Sequence, residues 1–165
     1  MKKWVITGAI ILACSSVVGI VVSKNRPPSR AHACEFSENV RMQAGSLKLY
    51  CVDEQQLPAG LTGSSGSASY GKGAVVYALR DGTKTVSISL QKRPSKNELA
   101  NFVQNLIPLH LEVETSVGKA YFGVNNNKTL VSLPVRNSTT WILMTAPEEY
   151  SPERVIAIVK NIVPD

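Results

Sequence analysis

Two segments of this chain, SKNELANFVQNLIP at 95–108 and SPERVIAIVKNIVP at 151–164, align without a gap at an offset of 56 residues. In the first, Leu99, Phe102, Val103, Leu106 and Ile107 recur at i, i+3, i+4, i+7 and i+8; in the second, Val155, Ile158, Val159, Ile162 and Val163 do the same. That period places five apolar side chains on one face of a helix, and such a face needs a surface to cover it. Both starts are marked. Ser95 with Glu98 three residues on forms a capping box, and Ser151 is followed by Pro152 at the first helical position and Glu153 in the first turn. Pro108 and Pro164 are expected to close the two helices.

The covering surface is written just upstream of each helix. AVVYALRDGTKTVSISL (74–90) holds two β-branched runs joined at Asp81-Gly82, a strong hairpin signal. TLVSLPVRNSTTWILMT (129–145) repeats the scheme around Arg136-Asn137-Ser138. Strand-strand-helix thus occurs twice, by duplication or by convergent amphipathicity. HLEVETSVGKAYFGV (110–124) predicts two more strands with Glu112 and Glu114 alternating outward, and ENVRMQAGSLKLYCV (38–52) a further hairpin with Val40, Met42, Leu47, Leu49 and Cys51 on one face. Pro134 cannot donate to a ladder, so it is expected at an edge or bulge. The fold class expected is α+β: a mostly antiparallel β-sheet with two amphipathic helices packed on it, an α/β/α sandwich, preceded by one transmembrane helix.

The transmembrane expectation comes from Trp4–Val22, 19 residues without a charge, with Lys2 and Lys3 before them and Lys24, Arg26 and Arg30 after. About 20 apolar residues span a bilayer core. Three fates are open to this leader: cleavage after Ala33 at Ala31-His32-Ala33, lipidation at Cys14 after a loose lipobox, or retention as a single-pass anchor. Retention fits best, because Ala33 lies far past the apolar run and VVGIVV continues beyond Cys14. The resulting domains are an anchor at 1–23, a polar juxtamembrane linker at 24–33 and an α+β domain at 34–165.

Orientation follows from sulfur, since basic residues are nearly balanced across the run. Beyond Cys14 the chain holds only Cys34 and Cys51, spaced as a short-loop disulfide, and such bonds persist in oxidising compartments. The alternative is two buried free thiols in a cytosolic domain. With a disulfide, the chain belongs in the inner (cytoplasmic) membrane, with 34–165 in the periplasm or outside the cell.

The net charge of +6 does not point to nucleic acid. Five of the 18 Lys and Arg flank the anchor, and the other 13 face 12 carboxylates that all follow residue 34, a net of +1. Apart from Lys92-Arg93 and nearby Lys96 these bases are dispersed, with no stripe of stacking aromatics among them.

Gly66 to Lys72 spells G-x-x-x-x-G-K. A phosphate loop also needs Ser or Thr next, and a helix after it. Here Gly73 follows, then a strand, and LTGSSGSAS precedes as a flexible stretch, so a mobile loop entering a strand is expected and no nucleotide. His32 and His110 give a Ser-His-Asp relay little to draw on; with Cys34 and Cys51 they lack the spacing of a zinc site. Glu112/Glu114 read as a solvated strand face and Glu148/Glu149 as a loop. Asn127-Lys128-Thr129 and Asn137-Ser138-Thr139 are glycosylation sequons that matter only in a eukaryotic lumen, and otherwise hairpin turns.

From Ser46 on, the order of strands, SKNELANFVQNLIP, VGKAYFGV, the hairpin ending TTWILMTAP and the closing SPERVIAIVKNIV resembles the PsbP-like fold of plant photosystem extrinsic proteins and of the LpqN and DcrB lipoproteins. The resemblance covers about 120 residues and is architectural. The usual aromatic after the early proline is missing from LPAGL. It implies an α/β/α sandwich, often membrane-tethered, working as a binding or accessory domain without an active site.

The function expected is therefore a membrane-anchored, extracytoplasmic, non-catalytic accessory domain that binds another envelope protein, as complex subunit, adaptor or immunity-type inhibitor. It has no cofactor, no metal and no nucleic-acid partner, and touches the membrane through its N-terminal helix. The candidate contact residues are Tyr70 and Lys72 in the Ser/Gly loop 63–73, with Lys92 and Arg93 before the first helix. The alternatives are small-molecule or lipid binding between sheet and helices, and an envelope hydrolase.

Overall fold

Alternation along the strands builds one face of a sheet. In Ala74–Asp81 (β4) Val75, Tyr77 and Leu79 are buried, and in Lys84–Lys92 (β5) Val86, Ile88 and Leu90 are. The two pair antiparallel with Tyr77 opposite Ile88 and Asp81 opposite Lys84, which leaves a two-residue turn whose Gly82 takes φ 57°. The computed structural model describes residues 34–63, 68–105 and 111–165. The expected anchor at 1–23, the linker at 24–33, Cys14, His32 and His110 lie outside the described residues. Among the described residues no helix is long and apolar enough to cross a membrane.

The fold is α+β with a mostly antiparallel sheet and three helices. In chain order the elements are α1 (Glu38–Ala44), β1 (Tyr50–Val52), a 3-10 turn (Glu54–Gln56), β2 (Thr62–Gly63), β3 (Ser69–Gly71), β4, β5, α2 (Lys96–Asn105), β6 (Leu111–Glu114), β7 (Lys119–Asn125), β8 (Lys128–Pro134), β9 (Thr140–Pro147), α3 (Pro152–Lys160) and β10 (Ile162–Pro164). The main sheet runs β2-β4-β5-β9-β8-β7-β6, and β3 joins β4 along the same edge as β2. The expected hairpins at Asp81-Gly82 and Arg136-Asn137-Ser138 are both present, as are the two strands of 110–124.

One face carries the core. Ile142, Met144 and Ala146 of β9, Val131 and Leu133 of β8, and Ala120 and Phe122 of β7 continue the buried row begun by β4 and β5. Val155, Ile158 and Val159 of α3 are fully buried in the same cluster, together with Phe36, Val40, Tyr50, Val52 and Ile162. Fully burying a side chain of this size contributes roughly 1.5–3 kcal/mol. Phe102 of α2 instead meets Trp141, which alternates to the other side of β9, edge-on with ring centroids 4.9 Å apart.

Helix α2 begins with the predicted capping box: Ser95 N–H donates to Glu98 Oε2 at 2.8 Å and Glu98 N–H to Ser95 Oγ at 3.3 Å. Its apolar stripe is less covered than the echo suggests. Leu99, Phe102 and Val103 are half-buried, and Leu106, Ile107 and Pro108 lie outside the described residues.

Three expectations are corrected. The hairpin expected at 38–52 is helix α1: Ser37 Oγ accepts from Val40 N–H at 3.3 Å, and Gly45 at φ 60° ends it. The strand reading put Val40 and Met42 on one face, but Val40 is buried and Met42 is 69 % exposed, while the i, i+4, i+7 spacing of Val40, Ala44 and Leu47 is helical. The last helix stops at Lys160, and Ile162 and Val163 form β10, opposite Val52 and Cys51 of β1. Asn161 makes the break: its carbonyl accepts from Asp53 N–H at 2.9 Å and its Nδ2 donates to Gln56 O at 2.8 Å, which draws the chain off the helix axis. Pro134 is on an interior strand, between β7 and β9. It sits at the end of β8, where the β7–β8 ladder lapses before resuming at the Gly118–Val135 bridge.

Candidate functional site

The site is assembled at the end of the sheet where β4 begins and β5 ends. Residues 68–73, expected as part of a mobile loop, form β3 and a tight turn instead; 64–67 lie outside the described residues. Gly71 pairs with Ala74, so Lys72 and Gly73 alone make the turn, with φ 52° and 79°. Two positive φ values are what a two-residue hairpin requires to match strand twist. Lys72 therefore stands between two strands and not at a helix amino terminus, and the geometry that cradles phosphates is not formed there.

Across β4 lies Lys92, the last residue of β5, opposite Thr140. The segment after α1 returns along the same end and is tied down where Thr140 Oγ1 donates to Lys48 O at 2.8 Å. Between these pieces is an open cleft of about 480 Å³ lined by Ala44, Ser46, Leu47, Tyr70, Gly73, Lys92 and Thr139. Its size falls within the roughly 300–1,000 Å³ of ligand and peptide-anchor pockets. Tyr70 is 37 % exposed on β3, Leu47 is half-buried, and Ser46 and Thr139 bring two hydroxyls.

Of the four candidate contact residues, the structure brings Tyr70 and Lys92 together in this cleft and sets Lys72 next to Gly73 at its mouth. Arg93 turns away. Its N–H donates to Thr139 O at 2.6 Å and its guanidinium Nη2 to Val135 O, so it braces the β8–β9 turn, half-buried. Ser46, Leu47 and Thr139 were not singled out from sequence. The available signal was the helical spacing of α1 and its Gly45 stop, which together deliver 46–47 to the sheet end.

Lys92 is the charged residue that lines the cleft, and Lys48 lines the neighbouring groove with Arg41 and Asp165. Lys48, Lys72, Lys92 and Lys96 are exposed, and none forms an ion pair with a carboxylate among the described residues, which include all 12 Asp and Glu of the chain. Elsewhere ion pairs form: Arg41 with Asp165, Lys119 with Glu112 at 2.8 Å and Glu114 at 3.8 Å, Arg136 with Glu114 at 3.3 Å, and Arg154 with Asp81 at 2.8 Å. Glu112, as a hydrogen-bond acceptor and as a charge, holds the Lys119 ammonium above its usual range. The Glu112/Glu114 pair thus faces outward into cations.

Other recesses lie elsewhere on the domain. An open groove of about 600 Å³ at the opposite end of the sheet is lined by Thr85, Ser87, Lys128, Thr145, Glu148 and Glu149, among others. An apolar recess between Leu111, Phe122, Val124 and Pro152 holds about 90 Å³, below the size of a lipid or cofactor pocket. Both sequons sit in hairpin turns, Asn127 and Asn137 having φ 57° and 53°. Cys34 and Cys51 are joined as a disulfide with Cα atoms 5.9 Å apart, so their sulfurs are not available as zinc ligands. Among the described residues no three His, Cys, Asp or Glu side chains group as metal ligands would.

No protein-family model matches this chain, and no curated protein matches it. The geometry therefore carries the functional reading.

Proposed function

We propose that this chain is a membrane-tethered, non-catalytic accessory domain that binds another protein outside the cytoplasm, with the Tyr70–Lys92 cleft as its contact site. The observation that supports this most is the convergence of an exposed tyrosine, a half-buried leucine and the unpaired Lys92 on one open cleft. Aromatic and aliphatic anchors beside unneutralised charge make a protein contact surface rather than a reacting centre. The disulfide is consistent with an oxidising compartment. The 19-residue uncharged run is the proposed tether, and an antiparallel sheet carrying α2 and α3 is compatible with a PsbP-like accessory fold.

The test is in-cell cross-linking of the full chain followed by purification from solubilised membranes. A discrete adduct with a second envelope protein, absent when Tyr70→Ala and Lys92→Ala are combined, is the expected result. Recovery of the chain alone, or of a hydrolytic activity that survives those substitutions, contradicts the proposal.

A further inference from the structure

We propose that α2 is a flap: it lifts off the sheet as a unit about Pro94, while α3 and the strands stay folded, and so uncovers Trp141. The inference goes beyond the binding function above and holds whether or not the cleft has a partner.

The two helices that look alike in sequence are held differently. In α3 the Val155, Ile158 and Val159 side chains are fully buried; Arg154 ties its first turn to Asp81 and Ala59, and Asn161 ties its end to Gln56 and Asp53. In α2 no side chain is buried. Leu99, Phe102 and Val103 are half-buried and the rest are exposed. The capping bonds between Ser95 and Glu98 are internal to the helix. Among the described residues no α2 side chain hydrogen-bonds to a strand, and the contact that crosses to the sheet is Phe102 against Trp141, 4.9 Å between ring centroids. A segment with few buried contacts opens at a lower free energy than the whole domain.

The face beneath α2 tolerates water. Strand register sets Ser89, Leu143 and Ser132 in one row across β5, β9 and β8, with Gln91 and Trp141 in the row beside it. Trp141 Nε1 donates to Ser132 Oγ at 2.8 Å, so the indole is satisfied within the sheet and needs nothing from the helix. The opposite face presents Ile88, Met144 and Val131 to α3. Lifting α3 would strip that core, whereas lifting α2 exposes one indole and an aliphatic side chain among hydroxyls and an amide.

Pro94 sits where such a hinge must be. Arg93 N–H donates to Thr139 O at 2.6 Å, and Ser95 N–H donates to Glu98 Oε2 inside the helix. The amide before Pro94 therefore belongs to the sheet and the one after it to the helix. Proline between them has no N–H to lose when the angle changes.

The experiment is native-state hydrogen exchange, resolved to single amides, on the full chain in detergent micelles across low urea concentrations. The hydrogen-bonded amides of α2 should exchange about a hundredfold faster than those of β5, β9 and α3, all at one rate and with little dependence on urea, because the opening exposes little surface. Arg93 should keep the slow exchange of the sheet. Phe102→Ala should speed α2 about a further tenfold and leave β5 and β9 unchanged. If α2 exchanges at the rate of the sheet, or if Phe102→Ala speeds both alike, the helix opens only when the domain unfolds and the flap is overturned. Protection that declines residue by residue towards Asn105 also overturns it, since that is fraying from one end. Exchange of α2 as fast as in an unstructured peptide overturns it too, because no closed state would then exist.

Discussion

Arg154 Nη2 lies 2.8 Å from Asp81 Oδ2, and the same nitrogen donates to Ala59 O at 2.9 Å. The guanidinium stacks 4.6 Å above the Tyr150 ring, whose hydroxyl donates to Asp81 Oδ2 at 3.3 Å. This cluster ties the first turn of α3 to the β4–β5 turn and to the chain before β2, three segments far apart in sequence. Each carboxylate and guanidinium side chain is 29 % exposed, so solvent screening discounts the pair below a buried one. Arg154→Met should destabilise by about 1–2 kcal/mol, and a double-mutant cycle with Asp81→Asn should show coupling of ~1 kcal/mol. Additive losses in denaturant titrations would mean the cluster is ornamental.

Gly118 is held by a close approach rather than by its φ. A Cβ there would stand 2.6 Å from Pro134 O and 3.3 Å from Arg136 N, both backbone atoms that cannot swing aside. Gly118→Ala should therefore cost about 2–3 kcal/mol, in the range of overpacked sites, and open the β7–β8 end first in hydrogen exchange. A variant as stable as the parent would show that this end of the sheet is not packed as described.

Tyr77 puts a hydroxyl into the core with no hydrogen-bond partner, while its ring meets Phe36 edge-on at 5.9 Å. A buried unpaired hydroxyl costs about 1–3 kcal/mol, so Tyr77→Phe should hold or raise stability by ~1 kcal/mol. Desolvation pushes the Tyr77 hydroxyl far up in pKa, and desolvation followed by the Asp81 charge raises that of Tyr150. Groups raised above their unfolded values stabilise fully below the unfolded pKa, and that contribution is lost as pH climbs. Stability should thus decline from about pH 10, the ordinary tyrosine value, and decline less steeply in Tyr77→Phe. A flat alkaline limb in the parent protein contradicts this.

The α2 cap is acid-sensitive with the opposite sign. The side-chain and backbone hydrogen bonds with Ser95 hold the Glu98 carboxyl below its usual range. Its contribution is present above the unfolded value of about 4.3 and disappears as pH falls through the lower folded one. The Ser95 amide resonance should titrate with a midpoint below ~4.3 and lose that titration in Glu98→Gln. A midpoint at or above the unfolded value would show that the capping box is not formed.

Local signals carried most of the fold. The Asp81-Gly82 and Asn137 turns, the capping box at Ser95, the N-cap at Ser151 and the period-2 runs of β4, β5, β8 and β9 are decided within a few residues, so they are legible. The errors came where tertiary partners decide. Val40 and Met42 alternate as a strand would, yet Ser37 and Gly45 bound a helix; Ile162 and Val163 keep the helical period, yet Asn161 hands them to β1. Within the site, Tyr70, Lys72 and Lys92 stood out as an exposed aromatic and bases near turns. That Leu47 and Thr139 would meet them depended on α1 being a helix, and the inward turn of Arg93 on the position of the Val135 carbonyl. Neither is written in residues adjacent to the site.

The most direct measurement is the state of Cys34 and Cys51 in intact cells, because the proposed location and the stapling of α1 to β1 both depend on it. Because both residues are buried in the fold, the cells are quenched and denatured before labelling; both should then resist alkylation by maleimide until a reductant is added. Reduction should also cost about 3 kcal/mol, the usual effect of opening a loop of this length. Two thiols alkylated in the denatured chain without reductant would mean that no disulfide forms in the cell, and would contradict the account.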